Sequence, residues 1–163
     1  MKERVKMTPA VYLILEKNGE ILFGERQNTN YFSEYFSIPA GHPEGSESLT
    51  EGLIRETKEE IGITLREVEL IHTMWRARHD ESGERLDFFF RANLWEGKIQ
   101  NVEPHKCKQL AWFSLHELPE KIMPHVKTAL EHIREGTRYS ECTREYYRKL
   151  QPNFPEYIKS EML

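Results

Sequence analysis

Two short apolar runs separated by a turn dominate the first thirty residues. Residues 11–15 and 21–23 are apolar and include β-branched side chains, which are typical of buried strands. Between them stands Asn18-Gly19, a dipeptide that strongly favours a two-residue hairpin turn. This pattern predicts two antiparallel strands over residues 9–27.

The chain then changes to loops with one short strand between them. Residues 28–37 are polar and aromatic and predict a loop, and residues 36–38 predict a short strand that ends at Pro39. Residues 41–46 contain two glycines, a proline and a serine, which predicts a second loop.

An amphipathic helix is predicted directly after this second loop. Ser46 or Ser48 can cap its N-terminus, and Gly62 is placed to end it in the left-handed conformation. Its apolar positions recur at multiples of four residues and form one stripe: Leu49, Leu53 and Ile61.

The second half of the chain predicts three strands and another helix. The strands cover residues 68–79, 84–95 and 106–115, and the first two are joined around Ser82-Gly83. Residues 88–90 are three phenylalanines, which is typical of a strand covered on both faces. The helix is marked by apolar positions at helical spacing and is closed by Gly136: Val126, Ala129, Leu130 and Ile133.

Strands on both sides of a helix, followed by a C-terminal helix, predict an α/β (α+β) fold with a mixed sheet and helices on its faces. Residues 1–136 are predicted to form the main domain. Residues 137–163 are charged and tyrosine-rich, and we predict a short helix and a tail that belong to the same domain.

Composition and charge restrict the classes of function that are compatible with the chain. The 163 residues are 38% hydrophobic and 31% charged, as expected for one soluble globular domain. Residues 41–60 hold six glutamates against two basic residues, so this segment carries the whole net charge of −4. Such an acidic region repels nucleic-acid phosphates, and we expect no nucleic-acid polymer as a partner.

The location is predicted from the apolar runs and the cysteines. The first eight residues precede no apolar segment of signal-peptide length, and no run approaches a membrane span. Cys107 and Cys142 lie far apart, without the spacing of a zinc site. We therefore expect free thiols, a cytoplasmic protein and no membrane partner.

Three glutamates crowd the last turns of the first helix. Glu56, Glu59 and Glu60 stand at i, i+3 and i+4, where like charges repel and the helix dipole disfavours anions. A divalent cation relieves both penalties, and carboxylate oxygens suit Mg²⁺ or Mn²⁺. Taken alone, the three acids are also compatible with a solvated acidic face, or with a scaffold that binds a basic partner.

The surrounding pattern distinguishes these readings. Gly41 is followed at fixed offsets by Glu47, Arg55-Glu56, Glu59-Glu60 and Gly62-Ile63, over 23 residues. This pattern resembles the Nudix box of the Nudix (MutT-like) hydrolases. Thr57 occupies an aliphatic position of the box, and we expect little effect because its methyl group can still pack. The flanking elements follow the same order, which implies a Nudix-type α/β/α sandwich with a central mixed sheet.

The resemblance implies roles for individual residues. Glu56 and Glu60 are expected to be the principal metal ligands, with Glu59 contributing to metal binding or to orienting water. A main-chain carbonyl at Ala40 or Gly41 is a further expected ligand. Arg55 is expected to orient the carboxylates. Glu47 is expected to reach either the metal or Arg55.

A general base is sought both inside and outside the box. MutT-like enzymes can use a glutamate in the loop before the last strand, and Glu103 occupies that position here. Glu103 is equally compatible with a surface loop residue, and the sequence leaves open whether Glu59 or Glu103 is the base.

The substrate is expected to be a small-molecule nucleotide. The segment from Glu103 to Pro119 resembles the branch that hydrolyses nucleoside triphosphates, so we expect cleavage of a triphosphate, such as 8-oxo-dGTP, to monophosphate and pyrophosphate. The alternatives are another nucleoside diphosphate derivative (ADP-ribose, a dinucleoside polyphosphate or a sugar nucleotide) or a non-catalytic nucleotide-binding module. A homodimer is one option for assembly.

Several side chains are candidates for holding that nucleotide. Arginines on the strands are expected phosphate contacts, with Arg26 and Arg76 first and Arg78 and Arg85 as further candidates. An aromatic loop is expected either to stack on a base or to cover the edge of the sheet: Tyr31, Phe32, Tyr35 and Phe36.

Overall fold

The computed structural model describes residues 5–29, 32–77 and 84–143, together with Glu145 and Lys149. Within these residues the strands are β1 Met7–Lys17, β2 Glu20–Arg26, β3 Phe36–Ser37, β4 Ala40–Gly41, β5 Thr64–Leu65, β6 Glu69–Arg76, β7 Glu84–Ala92, β8 Trp95–Glu96, β9 Cys107–Ser114 and β10 Tyr139–Cys142. The helices are α1 Leu49–Ile61 and α2 Pro124–Arg134.

In the described part of the chain, eight strands form one mixed sheet. Its main order is β10-β6-β7-β1-β2-β3, with β4 added on β1 and β9 on β2. The central pair β1 and β7 is parallel, as is the outer pair β6 and β10, and the other neighbours are antiparallel. Strands β5 and β8 form a separate pair.

Strand β1 is buried on both faces because it runs through the middle of the sheet. Ala10, Tyr12 and Ile14 pack against the core beneath α2, whereas Val11, Leu13 and Leu15 pack against the core beneath α1. The helices therefore cover opposite faces, and the predicted sandwich with a central mixed sheet is confirmed.

The local signals predicted the first two strands and the first helix. Asn18 and Gly19 both have positive φ, at 53° and 81°, as a two-residue hairpin turn requires. Helix α1 is capped by Ser48, one of the two serines predicted for that role, and by Gly62 as predicted. Thr57 is buried, and its hydroxyl donates to the Leu53 carbonyl at 2.7 Å, so the departure in the box is accommodated.

Other elements differ from the predictions. The strand predicted at residues 84–95 ends at Ala92, and Trp95–Glu96 pairs elsewhere. The turn predicted at Ser82-Gly83 lies outside the described residues. A strand occupies Tyr139–Cys142, where we predicted a short helix, because Ser140 and Cys142 face the core and pair alongside β6. Glu145 and Lys149 beyond it are helical.

The boundary between residues 1–136 and 137–163 stays a prediction. His72 on β6 ties the two parts together: its ring nitrogens lie 2.8 Å from the Thr137 carbonyl and 2.8 Å from the Ser140 hydroxyl. No helix within the described residues is long and apolar enough to cross a bilayer.

Candidate functional site

The acidic end of helix α1 is held in place by its caps. Ser48 and Glu51 form a reciprocal capping box, with the Glu51 N–H donating to the Ser48 hydroxyl at 3.2 Å and the Ser48 N–H donating to the Glu51 carboxylate at 2.8 Å. Gly62 closes the other end with φ 76°. These caps define where the last two turns, and their glutamates, lie.

Two box glutamates hold the strand that precedes the box. The Ala40 N–H donates to Glu60 Oε2 at 3.1 Å, and the His42 N–H donates to Glu56 Oε1 at 3.2 Å. Carboxylates of helix α1 therefore bind backbone N–H groups in and just after strand β4. The Ala40 carbonyl, expected as a metal ligand, belongs to the same residue that anchors Glu60, and its coordination stays a prediction.

Glu60 is the most perturbed carboxyl group of this cluster. Burial raises the pKa of Glu60 to about 8, the Ala40 N–H lowers it, and the nearby charges of Glu56 and Glu103 raise it further. At neutral pH this carboxyl group therefore keeps its proton, unless a bound cation stabilises its charged form.

Arg55 lies at the centre of the box carboxylates. Its Nη1 lies 3.0 Å from Glu56 and 3.2 Å from Glu59, and its Nη2 donates to the His42 carbonyl at 2.9 Å. The side chain of Glu59 is 56% exposed, and it contacts the helix's own Arg55 one turn earlier. This contact set agrees with the orienting role expected for Arg55, which stays a prediction.

Glu47 contacts Arg55 through both of its oxygens. Arg55 Nε donates to Oε1 at 2.8 Å, and Nη2 donates to Oε2 at 3.0 Å, while the Glu44 N–H adds a third bond at 2.8 Å. The Arg55 hydrogen bond holds the pKa of Glu47 below its usual value. Of the two expected placements for Glu47, the structure shows the contact with Arg55, and its role as a metal ligand stays a prediction.

Glu103 lies beside the box although it is 43 residues from Glu60 in the chain. Its carboxylate accepts a hydrogen bond from Lys106 Nζ at 2.6 Å, and its charge acts on Glu60. Ion pairing with Glu103 raises the pKa of Lys106, and the charges of Glu60 and Glu56 raise it further. Glu103 therefore lies close to the box glutamates, and its role as the general base stays a prediction.

A pocket of about 330 Å³ opens next to this cluster. It lies between the end of β2, the segment before the box and the turn that carries Glu103. Two cations, two acids and a thiol are among the groups that line it: Arg26, Lys106, Glu60, Glu103 and Cys107. The pocket therefore joins carboxylates suited to a cation with cations suited to a phosphate.

The structure separates the two arginines that were first choices as phosphate contacts. Arg26 lines the pocket, and its buried Nε has no hydrogen-bond partner among the described residues. Arg76 lies in the core on the α2 face, where it donates to Asp87 at 2.7 and 3.2 Å and to the Tyr12 hydroxyl at 3.1 Å. Because a buried guanidinium needs this partner, we no longer assign Arg76 to the substrate.

The aromatic loop does not line the pocket in the described residues. Phe32, Tyr35 and Phe36 pack against the core beneath α2, which favours the role of covering the sheet edge. Tyr31 and Arg78 lie outside the described residues. Arg85 reaches the Nudix-box loop, with its Nη1 3.2 Å from His42 Nε2.

The donor set fits a hard divalent cation. Within the described residues, no three His, Cys, Asp or Glu side chains already form a metal cage. Mg²⁺ does not need one, because it keeps several waters and takes only one or two protein carboxylates together with substrate phosphates. Glu56 and Glu60 supply that number, and the raised pKa of Glu60 shows that the charge of Lys106, which lowers it, does not offset burial and the neighbouring acids.

Two residues that line the pocket were not predicted as site residues from the sequence. Lys106 had a usable signal, since it follows Glu103 by three residues across Pro104, a spacing that closes a turn. Glu25 had no such signal in the sequence. Its side chain is buried, and hydrogen bonds from Lys108 and then Gln109 hold its pKa below the usual value.

Replacing Arg55 with lysine tests its orienting role. A single ammonium cannot reproduce three nitrogens that reach three carboxylates, so we expect kcat to fall about tenfold or more while the fold is retained. Arg66→Lys, in the exposed ion pair with Glu96, is the matched control and should leave kcat unchanged. Equal rates for Arg55→Lys and wild type would contradict the role.

Known proteins resemble this chain in sequence and in fold. The family model described as the NUDIX domain matches residues 6–134. An ADP-ribose pyrophosphatase of Methanocaldococcus jannaschii is 29% identical over 135 residues, 82% of this chain and 78% of that protein. An NAD-capped RNA hydrolase NudC of Pseudomonas entomophila is 26% identical over 115 residues, 70% of this chain but only 39% of that protein.

Solved structures support the same architecture. A crystal structure of a MutT NUDIX hydrolase from Burkholderia pseudomallei superposes with a TM-score of 0.71, covers 77% of this chain and 97% of its own, and is 23% identical. At that identity the likeness concerns the fold alone.

Proposed function

This chain belongs to the Nudix hydrolase family, and from that premise we propose that it is a Mg²⁺- or Mn²⁺-dependent pyrophosphohydrolase acting on a nucleoside diphosphate derivative of the ADP-ribose type. The likeness to an ADP-ribose pyrophosphatase over 82% of the chain supports this class. It favours the alternative over the oxidised triphosphate that the sequence first suggested, since the 23% identity to the Burkholderia MutT structure speaks only to fold.

One observation carries the proposal: acidic and basic side chains line a single pocket. Glu60 and Glu103 are among its lining residues, and so are Arg26 and Lys106. A diphosphate with a cation attached has the complementary pattern, because its metal contacts acids and its free phosphate oxygens contact bases.

The chain's own residues have separate tasks in this proposal. Glu56 and Glu60 would hold the cation, with the Ala40 carbonyl as a further ligand, and Arg55 would keep the carboxylates in place. When bound, the cation offsets the charge of the diphosphate and polarises its phosphorus. Glu59 or Glu103 would accept the proton of the attacking water.

The reaction is hydrolysis of a phosphoanhydride. The water oxygen bonds to one phosphorus, the bridging oxygen leaves with the other, and the released proton passes to the general base. The buried Nε of Arg26 has no partner in the described part of the chain, so a phosphate oxygen would complete its hydrogen bonding as well as position the anhydride.

A substrate panel tests this proposal. We expect ADP-ribose to give AMP and ribose 5-phosphate with Mg²⁺ present, at a kcat/KM about tenfold or more above that for 8-oxo-dGTP. The panel also holds a dinucleoside polyphosphate and a sugar nucleotide. A higher kcat/KM for 8-oxo-dGTP, cleaved to monophosphate and pyrophosphate, would return the triphosphate reading, and no turnover of any nucleotide would favour a non-catalytic module.

A second candidate is the NAD-type end of a capped RNA. The likeness to NudC enzymes supports including it, although the chain spans less than half the length of those relatives. The acidic segment at residues 41–60 argues against a long RNA contact. A short NAD-capped oligonucleotide in the panel, compared with free NAD, separates the two.

We also propose a reducing, cytoplasmic setting. Cys107 and Cys142 are both unpaired thiols within the described residues, as such a setting favours. The homodimer stays a prediction, and light scattering of the purified chain measures it.

A further inference from the structure

The turn that carries Glu103 accepts a hydrogen bond at every carbonyl from Glu103 to Cys107. The Glu103 carbonyl accepts from the N–H groups of Lys106 and Cys107, both at 2.9 Å. The Lys106 carbonyl accepts from the Gln27 N–H at 2.8 Å. Loop carbonyls on a protein surface are commonly left to water, so this complete pairing indicates a braced turn.

Side-chain amides from the end of β2 supply two of the remaining bonds. Gln27 Nε2 donates to the Pro104 carbonyl, and Asn28 Nδ2 donates to the His105 carbonyl at 2.8 Å. These residues are 77 positions from their partners in the chain, so the contacts join the two sides of the pocket.

A third amide completes the set from within the loop. Asn101 Nδ2 donates to the Cys107 carbonyl at 2.6 Å. We call Gln27, Asn28 and Asn101 the amide clamp. All three act on backbone carbonyls, whereas the carboxylate of Glu103 pairs with Lys106.

The backbone of Asn28 is adapted to this task. Its φ is 54°, in the left-handed region that asparagine tolerates better than most residues. The chain turns there two residues after Arg26, which lines the pocket. One short segment therefore presents a cation to the pocket and also ties down the turn that presents a carboxylate.

We propose that the amide clamp consists of positioning residues for the reaction: it holds the turn at residues 103–107 so that Glu103 stays beside Glu60. The inference rests on the proposed function, because it assigns Glu103 a part in turnover. Misplacement of a catalytic group by even about 1 Å lowers rates strongly, and loss of an outer partner of a site typically costs about 10–100-fold.

Three variants separate positioning from folding. Asn28→Gly keeps the left-handed backbone and removes the amide, and Asn28→Asp keeps the shape but sets a negative oxygen against the His105 carbonyl. Asn18→Gly is the matched control, since Asn18 has φ 53° in the hairpin turn at the other end of β2.

We expect kcat for the best panel substrate to fall about tenfold in Asn28→Gly and further in Asn28→Asp, with KM within about twofold of wild type. The melting temperature should stay within about 2 °C, because the Asn28 side chain is exposed, and Asn18→Gly should leave kcat unchanged. Unchanged kcat in both Asn28 variants would overturn the proposal.

A double-variant cycle shows whether the clamp acts through Glu103. If it does, Asn28→Gly lowers kcat in the wild-type background but not in Glu103→Gln. If the kcat losses of Asn28→Gly and Glu103→Gln multiply in the double variant, the positioning role is overturned, while the proposed hydrolase function still stands. Glu103→Gln with wild-type kcat would overturn it too, by removing Glu103 from the reaction, and a wild-type enzyme inactive on the whole panel would overturn the proposed function instead.

Discussion

Glu60→Gln is expected to lower kcat by at least about a hundredfold, because it removes a proposed metal ligand, whose loss should exceed the cost of losing an outer partner. The same variant should be more resistant to heat than wild type in metal-free buffer above neutral pH. Glutamine keeps an oxygen to accept from the Ala40 N–H, but it carries no charge into the acidic cluster.

The direction of the pH effect follows from the raised pKa of Glu60. Its pKa rises from an ordinary 4.5 to about 8, so the folded protein binds this proton more tightly than the unfolded chain does. The associated stability is fully present below about pH 4.5 and is lost as the pH rises through about 8. Wild type therefore loses stability across this window relative to Glu60→Gln.

Differential scanning fluorimetry at several pH values, with EDTA and with Mg²⁺, measures both effects. Mg²⁺ should raise the melting temperature of wild type more at pH 8 than at pH 6, and should do little to Glu60→Gln. Glu69→Gln, at an exposed position on β6, is the control. A variant with wild-type kcat, or with an undiminished response to Mg²⁺, would remove Glu60 from the metal site.

Gly41→Ala is expected to lower kcat/KM about a hundredfold through its effect on Glu56. A Cβ at position 41 would lie 2.0 Å from Glu56 Cδ and 2.3 Å from its Cγ, a distance that no side chain tolerates. The Glu56 side chain must therefore rotate away from position 41, because its Cγ and Cδ atoms occupy the space that the new methyl group needs. The glycine is therefore required by close approach of a carboxylate rather than by its backbone angles.

Two controls show that the loss comes from Glu56. Gly45→Ala meets nothing within 4 Å but has φ 50°, so it should lower stability by about 1 kcal/mol and leave turnover nearly unchanged. In a Glu56→Gln background, Gly41→Ala should add little further loss of kcat/KM. If the kcat/KM losses of Gly41→Ala and Glu56→Gln instead multiply in the double variant, Gly41 acts by a route other than Glu56.

The helix and the hairpin could be predicted because their signals are local. The turn Asn18-Gly19, the cap Ser48 and the terminator Gly62 each act on backbone within four residues, so their effect does not depend on the rest of the fold. The box glutamates could be placed on one face of α1 because the helical repeat alone brings residues at i, i+3 and i+4 together.

Residues distant in sequence were harder to place. Arg26 and Arg76 are both strand arginines, yet one lines the pocket and the other is buried against Asp87. The strand β10 was missed because its buried positions include a serine, whose partner His72 lies on a strand 68 residues earlier.

The sequence by itself determined the family, the acidic helix and the chemical type of the site, because a fixed spacing on one helix specifies which oxygens lie together. Only the tertiary structure decided that Glu47 binds Arg55, that Glu103 and Lys106 reach the same pocket, and that amides brace their turn. The partner of a polar side chain depends on which distant segments pack beside it, and no local pattern encodes that packing.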